Sequence, residues 1–167
     1  MAHSSLHSVV YISLAVRPFS PAELITLLTR SRARNERAGI TGMLLYKSGC
    51  FLQAFEGEET DVRALHRRLT KDPRHRNIVM LMSGPITERE FSDWTMGFRH
   101  LDDGDVQSQP GFSELLKMFV HHGRCSMDTA HAIKLLRTFT GCPQPARDEH
   151  GGGGRASLND FGLCPTA

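Results

Sequence analysis

Nothing in these 167 residues is apolar for long enough to cross a bilayer as a helix, which takes ~20 residues in a row. The longest apolar run near the start, Val9 to Val16, is interrupted by Tyr11 and Ser13 and lacks the flanks of a secretory leader. Cysteine is sparse as well. Cys50, Cys125, Cys142 and Cys164 are far apart and form no paired ligand motif, which argues against a disulfide framework and for a reduced, cytoplasmic protein. His121, His122 and Cys125 come close in sequence, but two of them are neighbours at a predicted helix end, and no metal is expected. Strong charge of one sign is also missing. A net charge of +2 without a long basic run gives no reason to expect a nucleic-acid partner. What remains is ordinary for a globular chain: 40% hydrophobic and 23% charged residues, enough for one cored domain with an appendage and no internal repeat.

The pattern of elements is legible. Val9 to Leu14 is rich in β-branched residues and reads as a strand. Ser20-Pro21-Ala22-Glu23 then supplies an N-cap, a proline at the first helical position and a capping-box glutamate. Leu24, Leu27, Leu28, Ser31 and Asn35 follow at helical spacing, with Gly39 as the stop. Ile40 to Lys47 and Cys50 to Glu56 flank Ser48-Gly49 and predict a hairpin. Thr60 is the expected cap of a second helix with Val62, Leu65 and Leu69 on its buried side, closed by Asp72-Pro73. Asn77 to Ser83 and Trp94 to Phe98 complete the strands. The order βαββαββ predicts an α+β, ferredoxin-like sheet with both helices on one face. Residues 7–100 are the expected domain, 101–111 a linker, 112–140 a pair of C-terminal helices, and 141–167, with its four consecutive glycines, a disordered tail.

Strand alternation puts polar groups where the interior should be dry. Phe51, Gln53 and Phe55 share one face of a strand, as do Val9, Tyr11 and Ser13 of another, while Ser31 and Asn35 lie on the apolar stripe of the first helix. Each buried donor or acceptor left unpaired costs about 1–3 kcal/mol, so Tyr11, Ser13, Ser31, Asn35 and Gln53 need partners. They can satisfy one another or trapped water. They can also meet a flat heterocycle with a polar edge. Composition and periodicity do not choose between these.

Six segments, in order and with matching spacing, resemble the family of blue-light sensors using FAD, the BLUF family. They are Tyr11-Ile12-Ser13; Ser31-Arg32-Ala33-Arg34-Asn35; Gly39 to Tyr46; Gly49-Cys50-Phe51-Leu52-Gln53-Ala54-Phe55-Glu56-Gly57; Asp72 to Arg76; and Asp93-Trp94-Thr95-Met96-Gly97-Phe98. The resemblance covers about residues 7 to 100, with Phe55 where leucine is common in the family and Thr95 where serine is common. It implies non-covalent FAD, with FMN or riboflavin as substitutes. It implies that Tyr11 gives an electron and a proton to the excited flavin, and that Gln53 is the amide that switches between Tyr11 and flavin N5 and O4. Trp94 and Met96 correspond to the region whose packing near Gln53 changes with light. Asn35 corresponds to the residue that bonds the pyrimidine edge. Ser13, Ser31, Arg34, Leu44, Phe51, Arg74 and His75 are the further expected flavin neighbours.

The function implied is a blue-light photoreceptor rather than a turnover enzyme. The absence of a recognisable effector domain after the match leads us to expect signalling through a protein partner, with a homo-oligomer also expected. A flavin-dependent redox enzyme and a non-flavin interaction module on the same fold are the competing readings, since fold alone does not set function.

Overall fold

The computed structural model describes residues 5–93, 95–101, 132–134 and 136 of the 167. Its elements are β1 (Leu6–Ala15), α1 (Pro21–Arg37), β2 (Thr41–Lys47), β3 (Cys50–Glu58), α2 (Glu59–Leu69), β4 (His75–Pro85) and β5 (Gly97–His100). The sheet order is β4-β1-β3-β2-β5, antiparallel throughout except for the β2–β5 pair. The first four strands thus have the ferredoxin-like order, and β5 adds an edge beside β2.

The local signals explain most boundaries. Ser20 caps α1, its hydroxyl accepting from the Glu23 amide while the Glu23 carboxylate accepts from the Ser20 amide. The helix ends as expected, with Gly39 at φ +59, a backbone region open to glycine at little cost. Ser48 and Gly49 both have positive φ in the two-residue turn between β2 and β3, the hand that matches strand twist.

The sheet is buried on both faces. On one, Val9, Tyr11, Leu44, Phe51 and Phe55 pack with Leu24 and Leu28 of α1 and with Val62 and Leu65 of α2. On the other, Val10, Ile12, Met43, Leu45, Leu52 and Ala54 pack with Phe91, Leu101, Ala132 and Leu136. Ala132 and Leu136 belong to the helical residues described within the predicted second C-terminal helix, and both are fully buried there. The rest of that helix, all of the first one and the tail lie outside the described residues.

Strands β1, β3, β4 and β5 each run one to three residues past a predicted end, and three further boundaries depart from the sequence reading for identifiable reasons. Thr60 does not cap α2. The helix starts two residues earlier than such a cap would set, at Glu59, whose amide donates to the carbonyl of Ser5, so a tertiary contact replaces the side-chain cap. The helix also ends at Leu69, with Thr70 at the C-cap, ahead of Asp72-Pro73. The fifth strand begins at Gly97 rather than residue 94, because the carbonyls of Thr95 and Met96 accept from the side chains of Asn35 and Arg32.

Gly42 marks the closest approach of β2 to β3. A Cβ built there would stand 2.2 Å from the Ala54 carbonyl oxygen and 2.9 Å from the Phe55 Cα, both backbone atoms that cannot swing aside. Gly42→Ala should therefore destabilise the domain by about 1–3 kcal/mol, the usual cost of overpacking. Urea denaturation will show this as a lower midpoint; an unchanged midpoint contradicts the close packing of these two strands.

Candidate functional site

The β1–β3 register decides what stands at the centre of the helix-covered face. Tyr11 pairs directly with Gln53, and Leu44 of β2 pairs with Gln53 from the other side. Directly opposed residues on one face bring their Cβ atoms within ~5.5 Å. The Tyr11 hydroxyl donates to Gln53 Oε1 at 2.5 Å, and Gln53 Nε2 donates to Met96 Sδ at 3.3 Å. All three residues are buried.

Above this row a cavity of about 610 Å³ opens between the two helices. From α1 come Leu27, Ser31, Arg34 and Asn35, whose spacing puts them along one side of the helix. Leu44, Phe51 and Met96 join Tyr11 and Gln53, while Leu65 and Leu69 of α2 form the facing wall. The mouth is basic, with Arg34, Arg67, Arg68, Lys71 and Arg74 set around a single carboxylate, Asp72.

Electrostatics differ sharply between floor and mouth. Burial pushes the Tyr11 phenol well above its ordinary pKa, and the Asp72 carboxylate adds to the rise. The hydrogen bond from Arg74 holds the Asp72 carboxyl down at about 2, against a smaller opposing effect of burial. Burial lowers the pKa of His75 and outweighs the nearby Asp72 carboxylate, which favours the neutral ring. Arg68 is lowered by burial first and by the like charge of Arg34 second.

Most of the residues singled out in the sequence meet here. Tyr11, Ser31, Arg34, Asn35, Leu44, Phe51, Gln53, Arg74, His75 and Met96 all line the cavity. Ser13 does not reach the wall. It stands behind His75, Oγ to Nδ1 at 2.9 Å, while the imidazole packs on Phe51 with ring centroids 5.0 Å apart. Trp94 and the His121, His122 and Cys125 group lie outside the described residues. Among the described residues, every fully buried side-chain nitrogen and oxygen has a hydrogen-bond partner. The polar set therefore answers itself in part, yet the cavity remains beside it. The sequence reading missed Arg67, Arg68 and Lys71; their clustering after Leu65 was visible, but nothing in a basic helix end says that it rims a cavity.

The cavity suits a flat, partly polar ligand. Its volume falls in the ~300–1,000 Å³ range usual for small-molecule sites. Leucine side chains from both helices can cover the faces of a ring, the amides of Asn35 and Gln53 can meet its edge, and the basic mouth can take an anionic tail.

Comparison with known proteins agrees with this geometry. The sequence model of the family described as sensors of blue-light using FAD, BLUF, matches residues 6–97. The photoactivated adenylate cyclase subunit alpha of Euglena gracilis is 35% identical over 143 residues, which are 84% of this chain and 14% of that protein. The subunit beta of Euglena longa is 37% identical over 94 residues, 56% of this chain and 11% of that protein. This chain thus spans a small part of these curated relatives. The solved dark-state structure of BlrB, a BLUF protein, superposes with a TM-score of 0.64 at 31% identity, covering 81% of this chain and 97% of that one.

The buried phenol generates a test of the site. Below pH ~10 Tyr11 is protonated in both folded and unfolded chains. Above it the unfolded chain releases the proton while the folded chain keeps it, so stability falls as pH rises, by about 1.4 kcal/mol per pH unit for one group. The stability difference between wild type and Tyr11→Phe should therefore shift in favour of the variant between pH 9 and 11, read by urea denaturation. A difference that stays constant over that range contradicts a buried, neutral Tyr11.

Proposed function

The chain belongs to the family of blue-light sensors using FAD, and from that premise we propose a photoreceptor that holds FAD non-covalently between α1 and α2. The observation that carries this reading is the Tyr11–Gln53–Met96 row beneath a cavity of about 610 Å³. Flavin supplies there a light-excitable ring that takes up an electron and a proton. The basic mouth favours the dinucleotide, because Arg34, Arg67, Arg68 and Lys71 suit the charge of a diphosphate. Asn35 Oδ1 can accept from a ring N–H, and Arg74 and His75 border the same cavity.

The residues explain how light becomes a structural signal. Burial disfavours a charged Tyr11, so loss of its proton alone is costly, whereas loss of proton and electron together leaves the residue neutral. Gln53 has two different ends. In the arrangement seen, its carbonyl accepts from Tyr11 and its amide N–H donates to a thioether. Reversal of the amide would turn a carbonyl oxygen toward Met96, whose sulfur has no proton to give. The Gln53–Met96 contact therefore survives in one orientation and is lost in the other. Such a contact, differing between two states, is what a switch needs.

In this reading the protein senses light and carries out no turnover of its own, and a protein partner receives the signal. Two of the relatives above are named as photoactivated cyclases, in which the matched region is a small fraction of the chain. A cytoplasmic location fits Cys50, which is buried as a thiol rather than joined in a disulfide.

Replacing Gln53 with Leu tests the mechanism. The variant keeps the bulk of the side chain and removes both hydrogen-bonding ends. It should retain flavin, seen as a yellow protein after purification, and lose the light-induced red shift of the absorption band. A variant that binds flavin and still shows the shift overturns the role of Gln53.

A further inference from the structure

The connection from β4 to β5 has an unusual task. The sheet order places β4 at one edge and β5 at the other, so the chain must cross four strand spacings, ~19 Å, between Pro85 and Gly97. Its described residues form neither helix nor strand. It is nevertheless tied down at two places, and these lie on opposite faces of the sheet.

The first tie is Glu56. Gln53 and Glu56 are three apart on β3, so alternation sends them to opposite faces. Glu56 is fully buried away from the cavity. Its Oε1 accepts from the Phe91 amide at 2.6 Å and from the Thr41 hydroxyl at 3.2 Å, and its Oε2 accepts from the Glu90 amide at 3.1 Å. Arg89 reinforces the tie by donating to the Thr41 hydroxyl, the Glu56 carbonyl and the Gly39 carbonyl. Hydrogen bonds to an ionised acceptor are stronger than neutral ones, which suits a carboxylate that fixes backbone amides. Phe91, placed by this tie, packs with Leu101, Ala132 and Leu136.

The second tie is at the cavity. Asn35 Nδ2 donates to the Thr95 carbonyl at 2.8 Å, and Arg32 Nε donates to the Met96 carbonyl at 2.9 Å. The Met96 side chain then accepts from Gln53. The same connection thus touches the switching amide at one end and the packing under the C-terminal helical residues at the other.

We infer that Glu56 is a positioning residue for Gln53: by holding the amides of Glu90 and Phe91 it sets where Met96 stands beside the switching amide. This inference rests on the photoreceptor reading given above. Coupling of this kind is reciprocal. If the Glu56 tie biases Gln53, then reorientation of Gln53 loads the Glu56 tie and, through Phe91, the packing of Ala132 and Leu136. Light sensed on one face of the sheet is thereby passed to the other around its edge rather than through it.

The test uses flavin-loaded protein carrying all 167 residues. Hydrogen exchange of the Glu90 and Phe91 amides is followed in the dark and under steady blue light, and a difference of at least threefold is expected. Recovery of the light-induced absorption shift is timed in wild type, Glu56→Gln, Glu56→Asp and Ser20→Ala. In Glu56→Gln the side-chain NH2 replaces one of two acceptors, and the recovery rate should change at least threefold. Glu56→Asp keeps the carboxylate and should lie between it and wild type. Ser20→Ala weakens the cap of α1 and leaves both ties in place, so it should recover within twofold of wild type. Recovery of Glu56→Gln within twofold of wild type overturns the inference, as does an equal effect of Ser20→Ala or light-independent exchange of both amides. Should Glu56→Gln not fold, the Glu56→Asp kinetics and the wild-type exchange decide. A wild type without any light-induced shift instead overturns the photoreceptor reading, and this inference with it.

Discussion

The antiparallel register of β1 against β3 is the constraint on which the rest depends. It sets Tyr11 opposite Gln53, and a slip of one residue would send either side chain to the other face of the sheet. The register is held because both faces are buried. Ile12 and Leu52 belong to one cluster while Tyr11 and Phe51 belong to the other, so a slip of one residue would exchange the members of the two clusters. A buried polar contact is thereby placed by the apolar residues around it. The 2.5 Å bond between phenol and amide is a consequence of strand pairing rather than its cause.

From this register follows a division of labour between the two faces. The helix-covered face carries the cavity and the switching row, while the opposite face holds the Glu56 tie and closes against Phe91, Leu101 and the helical residues at Ala132 and Leu136. The β4–β5 connection belongs to both. It also explains why β5 is short. Two carbonyls that could have extended its ladder accept instead from α1 side chains, which keeps Met96 at the cavity. A stretch of irregular backbone is thus held by side-chain donors from a helix and a carboxylate from a strand.

Much of this was legible in advance, for reasons tied to particular residues. Ser20-Pro21 and Glu23 announce a helix start because their chemistry satisfies amides only a few residues away. Ser48-Gly49 announces a turn for the same local reason. Thr60 misled because the α2 start finds its partner in Ser5, more than fifty residues distant, which no local pattern can register. Trp94 to Phe98 read as a strand, yet the carbonyls of Thr95 and Met96 are taken by Asn35 and Arg32, an interaction with a distant helix that the segment itself does not reveal. Ser13 read as a cavity residue because its alternation is right; only the placement of His75 puts it behind the wall.

The sequence by itself determined the strand alternation that buries Tyr11 and Gln53, the helical spacing that buries Asn35, the helix and turn boundaries set by local hydrogen bonding, and, through six ordered segments, a family resemblance. It did so because capping, periodicity and turn conformation act over a few residues and leave their mark in neighbouring letters. Tertiary structure alone decided the residue-by-residue register of β1 on β3, that α1 and α2 stand apart over a cavity, that Arg67, Arg68 and Lys71 rim it, and that Glu56 grips the far connection. Those facts depend on contacts between residues distant in the chain, where the free energy lies in mutual burial and in hydrogen bonds that form only once the sheet has assembled.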